Sequence, residues 1–116
     1  MLIKIKPRGA PRITYQGRFS AKAKDYYDWK DELLLKYKKK TFPKSVQLVF
    51  YITPPESWSK KKKAAAYGQP HDQKPDIDNL VKAVLDTLCE GEDKAIFRVY
   101  AEKYWSEEAG IEIEEI

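Results

Sequence analysis

Four segments of the chain have the hydrophobic pattern and composition of β-strands. LIKIK at residues 2–6 alternates apolar and polar positions with a period of two, which predicts a strand. SVQLVFYIT at residues 45–53 is rich in β-branched and aromatic residues, and we expect it to be buried on both faces of a sheet. AIFRVYAEKYW at residues 95–105 and GIEIEEI at residues 110–116 predict two further strands.

Three other segments have the period of helices. Ser20 is a plausible N-cap for a long helix that runs to about Lys40. Ser57 precedes a short lysine-rich helix at residues 58–67, and Asp76 precedes a third helix that ends before Gly91. The apolar stripe predicted for the long helix consists of Ala23, Tyr26, Tyr27, Leu33, Leu34 and Tyr37.

These elements predict an α+β fold in the order β-α-β-α-α-β-β. Prolines and glycines in the segment 6–18 predict an irregular loop between the first strand and the long helix. At 116 residues, with 42% hydrophobic and 13% aromatic residues, the chain has the size and composition of a folded domain. We therefore predict a single small domain over residues 1–116, with helices packed on a mixed sheet.

Composition also bears on the cellular location. No apolar run approaches the ~20 residues needed to span a bilayer, and no signal-peptide pattern opens the chain. The single cysteine, Cys89, cannot form an internal disulfide and lies on an apolar helix face, which is typical of a core thiol. We expect a cytoplasmic protein without a membrane partner.

The charges are unevenly distributed along the chain. Residues 1–70 carry 17 basic and 5 acidic residues, whereas residues 71–116 carry 5 basic and 13 acidic residues. This asymmetry favours a polyanionic partner bound to one surface. Composition alone is equally compatible with lysine-rich helices that are simply well solvated.

The segment HDQKPDIDNLVKAVLDTL, residues 71–88, has two interpretations. In the structural one, Asp76 caps the helix, and Asp78 lies in the first turn, where the helix dipole favours an acid. Lys82 then forms i,i+4 pairs with Asp78 and with Asp86, each worth ~0.3–0.5 kcal/mol. Every charge in the segment has an ordinary role in this interpretation.

In the catalytic interpretation, the same carboxylates bind a metal ion. Asp76 and Asp78 would provide two hard oxygen ligands within one helical turn, and the acidic pair Glu92-Asp93 follows the helix closely. Phosphodiester cleavage uses such a site, because the metal activates water and neutralises charge on the phosphate. A nearby lysine can stabilise the transition state.

The motifs of this region resemble those of a known nuclease family. KPDIDNLVKAVLDTL followed by EDKAI is similar to the signature of the RusA family of Holliday junction resolvases, and APRITYQGRFSAKAKDYYDWK resembles the family's arginine-containing loop and first helix. The similarity extends over essentially the whole chain. It implies an Mg²⁺-dependent endodeoxyribonuclease, with Mn²⁺ as a possible substitute, that acts as a homodimer and makes paired symmetric nicks in four-way DNA junctions.

The resemblance assigns roles to individual residues. It makes Asp76, Asp78 and Asp93 the metal ligands, and Lys82 the basic residue that acts at the phosphate. The chain has fewer residues between Asp86 and Asp93 than family members usually have, so Glu92 is the alternative third ligand. A nuclease for flaps or forks and a junction-binding protein that has lost cleavage are the alternative functions.

Nine basic residues are candidates for contact with DNA. The arginines lie in an irregular loop that is poor in acids, and Lys74 is the basic residue that precedes the acidic pair of the signature. The four consecutive lysines are equally consistent with a solvated helix face. His71 can instead be an incidental loop residue. The neighbouring Trp58 can stack on an unpaired base at a junction centre, although packing against the core is the favoured interpretation. The candidates are Arg8, Arg12, Arg18, Lys60, Lys61, Lys62, Lys63, His71 and Lys74.

Overall fold

The secondary-structure elements follow one another in the predicted order. The computed structural model describes residues 1–12 and 16–116, so the part of the predicted irregular loop at residues 13–15 lies outside the described residues. A short 3₁₀ helix, Asp93–Ala95, is the one element that the sequence pattern does not predict. The others are β1 (Leu2–Ile3), α1 (Ala21–Tyr37), β2 (Ser45–Ile52), α2 (Lys60–Ala66), α3 (Ile77–Leu88), β3 (Arg98–Trp105) and β4 (Gly110–Glu115).

The four strands form one mixed sheet in the order β1-β4-β2-β3. β2 pairs in parallel with β3 from Ser45–Arg98 to Ile52–Trp105, and antiparallel with β4 on its other side. A parallel pair needs a crossover connection, which α2 and α3 provide. β3 is the last strand in this order, so it forms an edge of the sheet. It follows α3 in the chain.

The core lies between one face of the sheet and the helices α1 and α3. Leu48 and Phe50 of β2, Leu33 of α1, and Leu80 and Val84 of α3 are fully buried. The alternate residues of β2 on the opposite face are only partly buried. The prediction that both faces of this strand are buried is therefore wrong, because the helices cover one face. The predicted α+β architecture of a small single domain with a mixed sheet is confirmed.

The long helix α1 begins as predicted but buries a different stripe. The Ser20 hydroxyl accepts a hydrogen bond from the Ala23 amide at 3.1 Å, which confirms the cap. The predicted core positions Tyr27 and Leu34 are instead 43% and 51% exposed. Trp29 is buried, and its indole Nε1 donates to the Lys6 carbonyl at 2.8 Å. The contact between Trp29 and the segment after β1 therefore determines which face of α1 is buried.

Several predicted boundaries are wrong by a few residues. α1 ends at Tyr37 and not at Lys40, because Lys38 adopts a left-handed conformation with φ of 61°. Ser59 caps α2 in place of Ser57, accepting from the Lys62 amide at 3.1 Å. β1 pairs over only two residues, and β3 starts at Arg98 because the 3₁₀ helix occupies the preceding segment.

Two predicted core positions are confirmed. Cys89 is buried, and the half-buried Trp58 packs its ring 4.8 Å from that of Trp105. Within the described part of the chain, no helix is long and apolar enough to span a bilayer.

Candidate active site

The acidic pair lies at the N-terminus of α3. Asp76 occupies the N-cap position, Asp78 lies in the first turn, and both residues are exposed. The Asp76 side chain makes no capping hydrogen bond to the helix, so the prediction that its carboxylate caps α3 is wrong. Both carboxylates thus lie at the positive end of the helix dipole, which favours negative charge.

Asp76 lines a recess whose other charged residues are basic. The recess has a volume of about 390 Å³ and lies between the start of α3, the loop after β1 and the first turn of α1. Arg8 and Lys74, both predicted as DNA contacts, line it together with Lys22. Lys22 was not predicted, because no sequence signal tells which side of α1 faces the acidic pair. The arrangement places a carboxylate among three cations.

The loop after β1 packs closely against the start of α3. The Ala10 amide donates to the Asn79 carbonyl at 3.1 Å. A methyl group added at Gly9 would lie 3.0 Å from Pro75 Cβ and 3.4 Å from Asn79 Cβ. This loop therefore approaches the residues on both sides of Asp76 at a distance that only glycine permits without a shift.

The strand β3 contacts the same turn through one side chain. Lys103 Nζ donates to the Gln73 carbonyl at 2.7 Å and to the Pro75 carbonyl at 2.9 Å. The sequence did not predict this contact, because a lysine in an amphipathic strand pattern resembles any solvent-facing residue. The turn before Asp76 is thus tied to the sheet.

Lys82 lies one helical turn after Asp78 and is exposed. Its ammonium donates to the Asp86 carboxylate at 3.0 Å, which confirms that predicted i,i+4 pair. Among the described residues no ion pair joins Lys82 to Asp78, so the other predicted pair is absent. Residues four apart share a helix face, which puts Lys82 on the same side of α3 as Asp78.

Asp93 lies at the opposite end of α3 from the acidic pair. It begins the 3₁₀ helix and lines a separate recess with Asp86 and Glu90, and Glu92 is adjacent to it. The twelve residues of α3 extend ~18 Å at the usual rise of 1.5 Å per residue. The third predicted ligand and its alternative are therefore remote from Asp76.

The predicted magnesium site can be tested against these positions. Carboxylate oxygens are the ligands that Mg²⁺ prefers in proteins. Among residues 1–12 and 16–116, however, no group of three histidine, cysteine, aspartate or glutamate side chains is close enough to hold a metal ion. A single chain thus supplies a suitable pair of donors but not the complete predicted set.

Comparison with known families resolves the class of protein. The chain matches the family Endodeoxyribonuclease RusA over residues 3–115. The chain belongs to the RusA family. It is an endodeoxyribonuclease of the Holliday junction resolvase class, as the motifs around Asp76 predicted. No curated protein and no solved structure matches the chain.

The short helix α2 carries further basic side chains of the RusA domain. Lys60, Lys61 and Lys62 of α2 are exposed, whereas Lys63 is partly buried with its ammonium 3.9 Å from Glu56. The Lys62 ammonium lies 4.1 Å from the centre of the Trp58 ring. The first three lysines are therefore the better candidates for phosphate contact.

The remaining basic candidates of the RusA domain occupy different environments. Arg12 is exposed in the loop after β1. Arg18 is partly buried, and its guanidinium lies 4.7 Å from the centre of the Phe19 ring. His71 is only 5% exposed, and its ring centroid lies 4.3 Å from that of Trp105. Such burial argues against the predicted contact of His71 with DNA.

The environment of His71 also sets its charge. Burial, together with the Lys103 ammonium, lowers the pKa of the imidazole below its ordinary value, and Asp72 opposes this only in part. The ring is therefore neutral at physiological pH. A neutral, buried imidazole packed at an angle of 56° against Trp105 is a structural support for the segment that leads to the acidic pair.

Proposed function

We propose that this RusA-family endodeoxyribonuclease resolves Holliday junctions by paired symmetric nicks, using Mg²⁺ or, as a substitute, Mn²⁺. The observation that carries the proposal is the position of Asp76. Its carboxylate makes no capping bond, although it occupies the N-cap of α3, and it lines a recess with Arg8, Lys22 and Lys74. A helix cap alone does not require three cations around it.

The chemistry of this recess suits a phosphodiester. Arginine and lysine bind phosphate oxygens, so Arg8, Lys22 and Lys74 would attract and orient the DNA backbone beside the acidic pair. The metal ion would supply an activated water and neutralise phosphate charge. Lys82, on the same side of α3 as Asp78, is the proposed electrostatic partner of the scissile phosphate.

The third ligand leads us to propose a composite site in a homodimer. One chain holds Asp93 about one α3 length away from Asp76, too far for a shared ion. In a homodimer, Asp93 of the second copy, or Glu92 in its place, would complete the ligand set. Two such sites in one dimer would also provide the paired nicks that resolution of a four-way junction requires.

The exposed lysines of α2 are the proposed contacts to the arms of the junction. Lys60, Lys61 and Lys62 would bind phosphates without reading sequence. Such contacts increase affinity for any duplex arm, so the preference for branched DNA would come from the spacing of the two active sites. We further propose that the protein acts in the cytoplasm of a bacterial cell, encoded by the host or by a prophage.

The activity can be tested with labelled four-way, flap, fork and linear DNA, each incubated with Mg²⁺, Mn²⁺ or EDTA. We expect symmetric nicks in the four-way junction with either metal and no cleavage in EDTA. Preferred cutting of the flap or fork would replace the proposed substrate with the alternative one. Tight binding of the junction without any cleavage would contradict the proposed reaction.

The composite site can be tested by mixing two inactive variants, Asp76→Asn and Asp93→Asn. If each site draws Asp76 and Asp93 from different copies, a mixed dimer has one intact site and one doubly altered site. We expect the mixture to make single nicks that neither variant makes alone. If both carboxylates act from the same copy, every site in the mixture lacks one of them and no nicking will return.

A further inference from the structure

The segment before the acidic pair is attached to the outer edge of the sheet. The Gly68 amide donates to the Trp105 carbonyl at 2.8 Å, the Trp105 amide to the Gln69 carbonyl at 2.9 Å, and the His71 amide to the Lys103 carbonyl at 3.0 Å. These bonds make residues 68–71 an irregular extension of the sheet beside β3. The chain therefore leaves the sheet at His71, five residues before Asp76.

Beyond His71, a single side chain of β3 joins the segment to the sheet. Lys103 Nζ donates to the Gln73 and Pro75 carbonyls at 2.7 and 2.9 Å, across 30 and 28 residues of sequence. Within the part of the chain that the structure describes, Lys103 forms no ion pair, and these two acceptors of its ammonium are both backbone carbonyls. An ammonium is a compact charge with three donors, which suits it to hold two carbonyls at once.

The position of Lys103 is itself fixed by the sheet. β3 pairs with β2 over eight consecutive residue pairs, and Lys103 lies opposite the fully buried Phe50. On the other side of the turn, Gly9 approaches Pro75 closely. The turn before Asp76 is thus held between a paired strand and the loop after β1. Lys103 binds the carbonyl of Pro75, which immediately precedes Asp76.

We propose that Lys103 is a positioning residue for the acidic pair. Its ammonium fixes the turn of residues 73–75, and through it the direction in which Asp76 and Asp78 leave the start of α3. This inference rests on the proposed function in taking those two carboxylates as the catalytic ones. A displacement of ~1 Å at a catalytic group can lower a rate by ~10²-fold, so this contact should matter to cleavage.

The first test is the single-turnover cleavage rate of a saturated four-way junction. We expect Lys103→Met to lower this rate by about 10- to 100-fold while the junction Kd changes less than about twofold. Lys103→Arg, which keeps donors for both carbonyls, should recover at least about a third of the lost activity on a logarithmic scale. A Lys103→Met rate within twofold of wild type would overturn the proposal.

Lys36→Met is the matched control for general loss of stability. Lys36 lies on α1, and its ammonium also donates to a distant backbone carbonyl, that of Lys4 after β1, at 2.6 Å, besides its exposed ion pair with Glu32. Its loss should lower the melting temperature by a similar amount and leave the cleavage rate unchanged. An equal fall in the rate of both variants would assign the effect of Lys103 to stability and overturn its positioning role.

A second measurement is independent of cleavage. The Leu80 amide donates to the Asp76 carbonyl at 3.1 Å, so its hydrogen exchange reports the order of the first turn of α3. We expect Lys103→Met to speed this exchange by about tenfold or more, since two bonds to a charged donor are lost. Lys36→Met should leave it unchanged.

The two measurements separate the inference from the proposed function. If wild-type protein nicks no branched DNA, the proposed function fails, and the exchange of Leu80 alone decides whether Lys103 orders the turn. If wild-type protein nicks the junction but Lys103→Met does so equally fast, the proposed function survives and the inference fails.

Discussion

The Lys82 ammonium lies 3.0 Å from the Asp86 carboxylate, one helical turn from Lys82 in the direction away from Asp78. Both side chains are partly or largely exposed, and exposed pairs of this kind contribute only ~0.2–1 kcal/mol. A phosphate bound beside Asp78 can therefore draw the lysine from Asp86 at small cost. The ion pair seen in the free chain does not oppose a catalytic role for Lys82.

Lys82→Ala should lower the single-turnover cleavage rate by ~10²–10³-fold, by analogy with the loss of one transition-state donor. Junction affinity should fall little, because one phosphate contact among many is lost. Lys82→Arg should recover part of the rate, since a guanidinium places its charge differently. Asp86→Ala removes the same ion pair and keeps the lysine, so it should cut at nearly the wild-type rate. If Lys82→Ala cuts the junction as fast as Asp86→Ala does, Lys82 serves only the ion pair with Asp86 and has no catalytic role.

Asp76→Asn and Asp78→Asn should each abolish cleavage while junction binding is kept or improved. An amide oxygen is a poor ligand for a hard cation, and loss of negative charge eases the approach of phosphates. Melting curves should change little for Asp76→Asn, because that carboxylate makes no capping bond. Asp72→Asn removes a charge from an exposed residue of the same segment and should leave cleavage intact. Near-normal nicking by either variant of the pair would exclude the metal-site interpretation.

The fold was largely predictable because its elements have strong periodicity. The N-cap residue Ser20 marked the start of α1, and the apolar residues Ala23 and Leu33 marked its buried face. The apolar segments rich in β-branched and aromatic residues predicted the strands of the sheet. Periodicity did not distinguish Trp29 from the neighbouring Tyr27 as the buried aromatic residue. That choice depends on a contact with Lys6, which lies 23 residues away in sequence.

The site was predictable only where it is local in sequence. Asp76, Asp78 and Lys82 lie within two turns of one helix, so their motif identified them as a group. The positions of Asp93 and Lys103 relative to that group depend on where α3 ends and how the strands align. Those features arise from the packing of the whole domain, which no local pattern encodes.

Replacement of Lys60, Lys61 and Lys62 by alanine should flatten the salt dependence of junction binding. The slope of log affinity against log salt concentration should fall by ~0.9 for each lysine that contacts a phosphate. Alanine at the exposed Lys39, Lys40 and Lys44 removes the same charge elsewhere and serves as the control. If the α2 triple variant keeps the wild-type slope, α2 does not contact DNA.

Cys89 should react slowly with iodoacetamide in the folded protein. Burial raises the pKa of its thiol to about 11, and Asp93 and Asp86 add to the effect. The thiolate is the reactive form, so a rise of about two pKa units leaves ~10²-fold less of it at pH 8 than in the unfolded chain. Mass spectrometry should show fast labelling in urea and slow labelling without it. Rapid labelling of the native protein would mean that the end of α3 opens readily.

Gly9→Ala should impair cleavage more than it impairs stability. The added methyl group would lie 3.0 Å from Pro75 Cβ, so either the loop after β1 or the turn before Asp76 must move by a few tenths of an ångström. A shift of that size beside a catalytic carboxylate should lower the single-turnover rate several-fold, since ~1 Å can cost ~10²-fold. The overpacking itself should cost ~1 kcal/mol of stability or somewhat more.

Gly110→Ala provides a matched control for Gly9→Ala. Its methyl group would meet Leu2 Cδ1 at 3.1 Å and the Ile3 carbonyl oxygen at 3.3 Å, a similar degree of crowding between β1 and β4. We expect both variants to melt at lower temperature than wild type, and only Gly9→Ala to lose cleavage rate on a saturated junction. A wild-type rate for Gly9→Ala would show that the turn before Asp76 accommodates the methyl group without moving the acidic pair. The close packing of the loop after β1 would then serve stability alone.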